Sequence, residues 1–228
     1  MTDLPAKPRS LYRAWILANA LAELAGLGLT LAAGFLATRW IGEPSTPAGW
    51  AVLLGAMTAS GAVEGTIVGL AQWSVLRHRL EVARRAWVGA TIAGALLAWM
   101  LGSLPSTLMQ AGADAGQSAM AEPSLGLVLL FASGIGLVAG AVLASAQALV
   151  LRRAAYRAWL WLPANSLAWA VGMPVIFLAI EVASRAGTLP LSVLLLAAGL
   201  AAAGAAVGAV HGLVMVRLEP QPNQGGKA

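Results

Sequence analysis

The chain has 228 residues, of which 59% are hydrophobic and only 10% charged, and its mean hydropathy is +0.79. This number of polar residues is too small to cover the surface of a water-soluble protein of this length. We therefore expect a multi-pass membrane protein whose partner is the lipid bilayer. The absence of cysteine excludes disulfides, iron–sulfur clusters and cysteine-ligated zinc. The net charge of +5 comes from basic residues beside apolar stretches, which indicates membrane topology and no nucleic-acid partner.

Six apolar stretches predict six transmembrane α-helices, because each approaches or exceeds the roughly 20 residues that cross the hydrocarbon core. We therefore predict an all-α integral membrane protein and a single membrane domain over residues 1–228, with a loop at 105–123 and a disordered tail at 219–228. The first stretch is too long for a signal-peptide core, so we expect it to be retained. The predicted helices cover residues 14–38, 49–76, 86–104, 124–151, 158–184 and 188–216.

The basic residues predict the orientation of these helices. In a six-helix zigzag, twelve of the 14 lysines and arginines fall on one side, and Arg39 and Arg185 fall on the other. By the positive-inside rule, the amino and carboxyl termini are both expected to be cytoplasmic. The twelve residues are Lys7, Arg9, Arg13, Arg77, Arg79, Arg84, Arg85, Arg152, Arg153, Arg157, Arg217 and Lys227.

The chain also repeats itself. The motif RAW begins each odd-numbered helix, at Arg13, Arg85 and Arg157, with a spacing of 72 residues each time. Among the even-numbered helices, GTIVGLAQWSVLR (65–77) aligns without gaps with GAVLASAQALVLR (140–152), and 205–217 is a weaker third copy. The pattern predicts three tandem helical hairpins of one orientation, not an inverted repeat. Their approximate limits are residues 13–83, 84–155 and 156–218.

Stripes of small residues run along the even-numbered helices, and small residues let helix backbones approach closely in lipid. Gln72 and Gln147 follow their stripes at the same distance, so we expect both amides to project from the packed face. They serve either as interhelical hydrogen-bonding groups or as the polar lining of a path. The stripes are Gly61, Gly65 and Gly69, then Gly136, Gly140 and Ala144, then Gly204, Gly208 and Gly212.

Four tryptophans are expected at the lipid surface. Trp15, Trp87 and Trp159 lie just inside the arginines, where an interfacial aromatic belt would anchor the bundle. Trp99 is expected to face lipid or a loosely packed surface.

Two acidic residues lie within predicted helices. Glu64 is about 20 Å from Arg77 along its helix and Glu23 about 15 Å from Arg13, so both reach the middle of the bilayer. Asn19 precedes Glu23 by one turn, and Ser60 precedes Glu64 by one turn. The acids either form hydrogen bonds across a helix pair or make a proton, cation or ligand site, the usual hypothesis for an intramembrane acid.

The remaining ionisable groups point to no established chemistry. Glu181 and Arg185 form an i,i+4 pair. His211 is a weak candidate for an axial ligand to a pigment or haem, but a second ligand from His78 would require a stagger of about 10 Å between helices. The sequence contains no metal-ligand cluster, phosphate-binding glycine loop or nucleophile elbow, so we predict no catalytic residue and no metal site. No cofactor is indicated, and the sequence leaves the identity of any cofactor unknown.

The segment Gly65 to Arg77 has the form GxxxGxxQWxVLR and is followed by RAW at 85–87. It resembles a pattern in uncharacterised multi-pass bacterial membrane proteins, which implies the bacterial cytoplasmic (inner) membrane and no known activity. Three tandem two-helix units are also similar to the mitochondrial carrier architecture. The odd-numbered helices lack that family's PxDxxK or PxExxR signature, since PVIFLA and PLSVLL carry no charges, so the similarity is geometric only.

Two functions are compatible with these features. The first is a non-enzymatic scaffold or accessory subunit of a membrane complex, with other membrane subunits as partners. The second is a small transporter or channel with a proton- or cation-linked site at Glu23 and Glu64, lined also by Asn19, Gln72 and Gln147.

The charge bias generates a prediction about topology. Reporter domains fused at residue 80, at residue 155 and at the carboxyl terminus should all report the cytoplasm, and a fusion at residue 115 should report the opposite side. Opposite results at two or more of these sites would contradict the hairpin topology.

Overall fold

A computed structural model describes residues 8–42, 44–114 and 123–221. Within these ranges the chain forms six long α-helices, a single 3₁₀ turn at Ala158–Leu160, and two strands of two residues each. The helices are α1 (Pro8–Ile41), α2 (Pro47–Leu76), α3 (Arg84–Asp114), α4 (Leu125–Leu151), α5 (Trp161–Ser184) and α6 (Leu189–Met215); the strands are β1 (Ala155–Tyr156) and β2 (Glu219–Pro220).

All six helices are long and apolar enough to cross a membrane, with mean hydropathy between 1.5 and 2.5 in their most apolar windows. Even α5, with 24 residues, spans about 36 Å at 1.5 Å per residue, more than the roughly 30 Å of hydrocarbon. The prediction of an all-α, multi-pass membrane protein is confirmed.

Helix α3 is longer than predicted. The sequence indicated a loop from Pro105 onwards, but α3 continues through this proline to Asp114. Proline has no N–H to offer the carbonyl four residues earlier. On either side of it, the hydroxyl groups of Ser103 and Thr107 donate to the carbonyls of Trp99 and Ser103, at 2.6 and 2.9 Å. A proline is tolerated within a membrane-spanning helix because neighbouring groups and local adjustments compensate for the missing bond. The remaining loop residues 115–122 lie outside the described part of the chain.

The segment after α6 is also more structured than predicted. β2 pairs antiparallel with β1, and Gln221 donates from its backbone N–H to the carbonyl of Ala154 at 3.0 Å. The predicted disordered tail began at residue 219, so its first three residues are ordered, whereas residues 222–228 lie outside the described ranges. The physical reason is that β1 supplies backbone partners that are far away in sequence.

The helices form a closed ring. Each packs against its neighbours in sequence, and α6 packs against α1. The loop 77–83, the loop 152–160 and the segment 216–221 meet at one end, which we call the arginine-rich end. The larger hydrophobic core lies there, around Trp15, Leu76 and Leu151, and a smaller one around Leu200 lies further along the bundle.

Neighbouring helices approach closely at several glycines, among them Gly65, Gly140 and Gly208. A Cβ added at Gly65 of α2 would lie 2.8 Å from Ile92 Cα of α3, and one at Gly140 of α4 would lie 2.6 Å from the carbonyl oxygen of Asn165 of α5. A Cβ at Gly208 of α6 would lie 3.0 Å from Ile16 Cα of α1. No side chain larger than hydrogen fits at these points without separating the helices.

These contacts predict that Gly65→Ala and Gly140→Ala destabilise the protein, because overpacking costs about 1–3 kcal/mol. Gly55→Ala in α2 and Gly134→Ala in α4 are matched controls, since a Cβ at either position meets nothing within 4 Å. Thermal unfolding in detergent measures the difference. Equal melting temperatures for test and control variants would contradict close packing at Gly65 and Gly140.

Candidate functional site

Seven buried side chains, with every helix contributing, form one hydrogen-bonded group that we call the interhelical polar cluster. No member is more than 3% exposed, although the group contains amides, a hydroxyl and an imidazole. The members are Trp15 and Asn19 of α1, Gln72 of α2, Thr91 of α3, Gln147 of α4, Trp161 of α5 and His211 of α6.

Gln147 is the centre of the cluster. Its Oε1 accepts a hydrogen bond from Trp161 Nε1 at 2.8 Å. Its Nε2 donates to Gln72 Oε1 at 3.2 Å and to Thr91 Oγ1 at 3.0 Å. Because α2 and α4 are not neighbours in the ring, the bond between the two glutamines crosses its interior. One side chain therefore links four helices.

The chain of hydrogen bonds continues from Gln72 to the closing helix pair. Gln72 Nε2 donates to Asn19 Oδ1 at 2.9 Å, and Asn19 Nδ2 donates to the backbone carbonyl of Trp15 at 2.8 Å. Trp15 Nε1 then donates to His211 Nδ1 at 2.9 Å. Each amide donates with its nitrogen and accepts with its oxygen, so the orientation of all three amides is fixed.

An aromatic group surrounds one side of the cluster. The His211 ring lies between Trp15 and Trp161, with centroid distances of 5.5 and 5.2 Å, and Trp87 contacts Trp161 at 6.0 Å. The prediction of an interfacial belt is therefore wrong for Trp15 and Trp87, which are both 0% exposed. Their indole rings fill the interior because the closed ring places these helix faces inward.

The third RAW motif behaves differently from the first two. Trp159 is 69% exposed, and Trp161, two residues later, takes the buried position. Arg157 has a left-handed backbone, with φ 58°, and the 3₁₀ turn follows it directly. This turn delays the start of α5 and shifts its inward face by two residues. The constant spacing of 72 residues gave no sign of the shift.

His211 has a packing role that the pigment or haem hypothesis did not anticipate. Its Nδ1 accepts a hydrogen bond from Trp15, so the ring proton belongs on Nε2. This Nε2 is buried and has no hydrogen-bond partner among the described residues. The pigment hypothesis for His211 stays a prediction.

Glu64 lies on α2, further from the arginine-rich end than the cluster, and is 8% exposed. Its Oε2 accepts a hydrogen bond from Trp99 Nε1 of α3 at 2.8 Å. Trp99 is half-buried, so part of its ring is exposed as expected, but its indole N–H is directed to this carboxyl group.

Glu23 lies on α1 and packs against α6, where a Cβ added at Gly204 would lie 2.8 Å from Glu23 Cγ. Glu23 is 2% exposed, and its Oε2 is buried with no hydrogen-bond partner in the described part of the chain. A Cβ added at Gly26, three residues after Glu23 on α1, would lie 3.1 Å from Glu64 Cγ, so the two acidic side chains occupy neighbouring positions on α1 and α2. The structure thus places both acids in one region, as expected from their positions along the helices.

A cavity of about 310 Å³ adjoins Glu64 and is lined by residues of α1 to α5. Its wall is mainly apolar, with Leu27, Met57, Trp99 and Met173 among the lining residues, and Glu64 is the one ionisable side chain in it. An apolar cavity with one carboxyl group offers a place for a small lipophilic or cationic ligand.

The residues predicted for the site separate into two groups and one outlier. Asn19, Gln72 and Gln147 belong to the interhelical polar cluster, and Glu23 and Glu64 lie together elsewhere. Ser60 is the outlier, because its hydroxyl donates to the carbonyl of Ala56 in its own helix.

The sequence analysis missed four residues of the site: Trp15, Trp99, Thr91 and Trp161. The signal for three of them was available, because a tryptophan four residues before a polar residue recurs at Trp15, Trp87 and Trp161, and Thr91 is the polar residue after Trp87. Trp99 carried no such signal, since its partner is on another helix.

The described residues contain no group of three or more histidine, cysteine or acidic side chains that could hold a metal ion. No protein-family model, no curated protein and no solved structure gives a significant match to this chain. The site must therefore be interpreted from its own geometry.

The position of Gln147 predicts that Gln147→Met destabilises the fold. Methionine keeps the volume but leaves Trp161 Nε1 and Gln72 Oε1 without partners, and an unsatisfied buried polar group costs about 1–3 kcal/mol. Unfolding of the detergent-solubilised protein measures this loss. Gln110→Met is the control, because Gln110 is exposed; equal stability of both variants would contradict a structural role for the cluster.

Proposed function

We propose that this chain is a non-enzymatic integral membrane protein that serves as a scaffold or accessory subunit of a membrane complex. The observation that carries the proposal is the interhelical polar cluster. Asn19, Gln72 and Gln147 hydrogen bond to one another across the helices and fill the centre of the ring at the arginine-rich end. A ring held in this way presents a fixed outer surface to other membrane subunits, as a scaffold requires.

We further infer that the fold consists of three tandem hairpins in a bacterial inner membrane, with both termini cytoplasmic. The contacts of the even-numbered helices support this inference. In each, a closely packed glycine precedes a buried polar residue by seven positions, since Gly65 precedes Gln72 and Gly140 precedes Gln147. The third pair is Gly204 and His211, so His211 takes the place of a glutamine.

The odd-numbered helices support the same inference. A Cβ at Gly65 would lie 3.1 Å from the carbonyl oxygen of Thr91, and the corresponding distance from Gly204 to Asn19 is 2.5 Å. The third equivalent is the contact of Gly140 with the carbonyl of Asn165, whose Nδ2 also donates to the carbonyl of Gly140 at 3.1 Å. Each polar residue follows a buried tryptophan by four positions, which indicates a pseudo-threefold arrangement around the ring.

A specific observation favours transport as the second candidate function. When Gly65, Gly140 and Gly204 are aligned, the residue before each glycine is Glu64 in α2 but an alanine in α4 and α6, namely Ala139 and Ala203. The acid therefore departs from the threefold pattern. Glu23 has no acidic equivalent either, and Glu64 lines the apolar cavity. An intramembrane acid that packing does not require is a functional hypothesis by default. This candidate is a proton- or cation-linked transporter or channel.

Purification from native membranes in mild detergent tests the scaffold proposal. We expect the tagged chain to elute with other membrane subunits in a fixed ratio. Elution of the chain alone, together with ion flux by the purified protein in liposomes, would contradict the scaffold proposal and favour the second candidate.

The substitution Glu64→Gln separates the two candidates. Glutamine retains an oxygen that can accept from Trp99 but cannot titrate, so the scaffold proposal predicts unchanged thermal stability and complex assembly. The transport candidate predicts loss of a proton- or cation-dependent flux in proteoliposomes while the fold survives. The control is Glu181→Gln, since Glu181 forms an i,i+4 ion pair with Arg185 at the opposite end from the arginine-rich loops.

A further inference from the structure

We propose that a pocket at the arginine-rich end binds a phosphate-bearing anion. The pocket has a volume of about 590 Å³, within the range of small-ligand sites. It lies between the loop that connects α2 to α3, the loop that connects α4 to α5, and the segment after α6. The lining residues used in the argument are Arg77, Arg79, Glu81, Arg152, Arg153 and Gln221.

The lining is strongly positive. Four arginines and one glutamate, Glu81, surround the cavity, so the ionised side chains carry a net charge of +3 (four minus one). Guanidinium groups bind phosphate through paired N–H donors, which makes arginine the preferred residue for this ligand. Membrane topology requires only that basic residues lie on one side. It does not require arginines from two loops to line one cavity.

Contacts between distant segments build the pocket. Arg79 Nε donates to the carbonyl of Leu218 at 3.0 Å and so joins the first loop to the segment after α6. Gln221 Nε2 donates to the carbonyls of Arg152 and Ala155, both at 3.2 Å, and joins this segment to the second loop. These bonds fix the backbones that carry the arginines, so the cationic wall exists before a ligand arrives.

The pocket lies where a membrane-spanning bundle meets the lipid headgroups. Arg77 stacks over the half-buried Trp73 ring at 5.3 Å, and Trp73 Nε1 donates to the carbonyl of Val82 at 2.9 Å. Basic pockets at the ends of transmembrane helices bind the headgroups of anionic lipids. A soluble phosphate compound has the same recognition chemistry, so the experiment must separate the two sources.

The first arm of the experiment titrates the detergent-solubilised protein with phosphatidylglycerol and measures bound lipid by native mass spectrometry, with phosphatidylcholine as the zwitterionic comparison. The second arm titrates the same protein with pyrophosphate by calorimetry. The test variant is Arg152→Gln/Arg153→Gln, which changes two exposed side chains of the pocket. The control is Arg13→Gln/Arg85→Gln, which removes the same charge from exposed residues that do not line the pocket.

We expect the dissociation constant of the phosphate-bearing ligand to rise roughly twenty-five-fold in the test variant, from about fivefold for each of the two arginines. The control should change it less than about threefold, because it removes only long-range attraction. Arg77→Gln, in the other loop, should give about a fivefold rise, and all variants should melt at the wild-type temperature.

The pattern of binding identifies the source. Arginine-dependent binding of phosphatidylglycerol supports a lipid headgroup, and arginine-dependent binding of pyrophosphate supports a soluble ligand. The proposal is overturned if neither ligand binds, or if the test and control variants weaken binding equally. It is also overturned if phosphatidylcholine binds as tightly as phosphatidylglycerol and pyrophosphate does not bind.

Discussion

Polar groups inside a ring of helices embedded in lipid cannot form hydrogen bonds with water, so they must bond to one another. This constraint determines how the side chains at the centre of the molecule are arranged. Apolar packing alone cannot hold six apolar helices together, because lipid tails are as apolar as their side chains. Close backbone contact at residues such as Gly65 and Gly140 supplies dispersion contacts. The interhelical polar cluster adds directed hydrogen bonds, and Gln147 joins α4 to α2, which is not its neighbour in the ring. The position of each helix therefore depends on the others.

The sequence predicted the parts of this structure that follow from composition and spacing. Six apolar stretches gave six helices, and the common distance of Gln72 and Gln147 from their glycines led us to expect both amides on a packed face. Trp15 was misinterpreted because a tryptophan beside an arginine fits both an interfacial belt and a core. Only the closure of the ring decides between them.

Other features depended on tertiary contacts that one sequence does not display. The hydrogen bond from Trp99 to Glu64 joins residues 35 positions apart on separate helices. The two-residue shift from Trp159 to Trp161 depends on a left-handed backbone at Arg157. The continuation of α3 through Pro105 could not be read from the sequence, because a proline occurs both at helix ends and within membrane-spanning helices. In each case the local pattern was compatible with two structures.

The bundle thus divides its polar residues among three tasks. The interhelical polar cluster orders the helices, the acids adjoin an apolar cavity further along the bundle, and the arginines line a pocket at the end. The threefold pattern that we propose would account for the first group and would leave out the acids and the asymmetric pocket.

A double-mutant cycle on Gln72 and Gln147 tests the central claim, that hydrogen bonds across the interior hold the ring together. The two single substitutions to methionine and the double substitution are compared by reversible unfolding in detergent. The account predicts a coupling free energy of about 0.6–1.7 kcal/mol, from the average to the maximum of double-mutant cycles on hydrogen bonds between transmembrane helices. Additive effects, within about 0.3 kcal/mol, would contradict it.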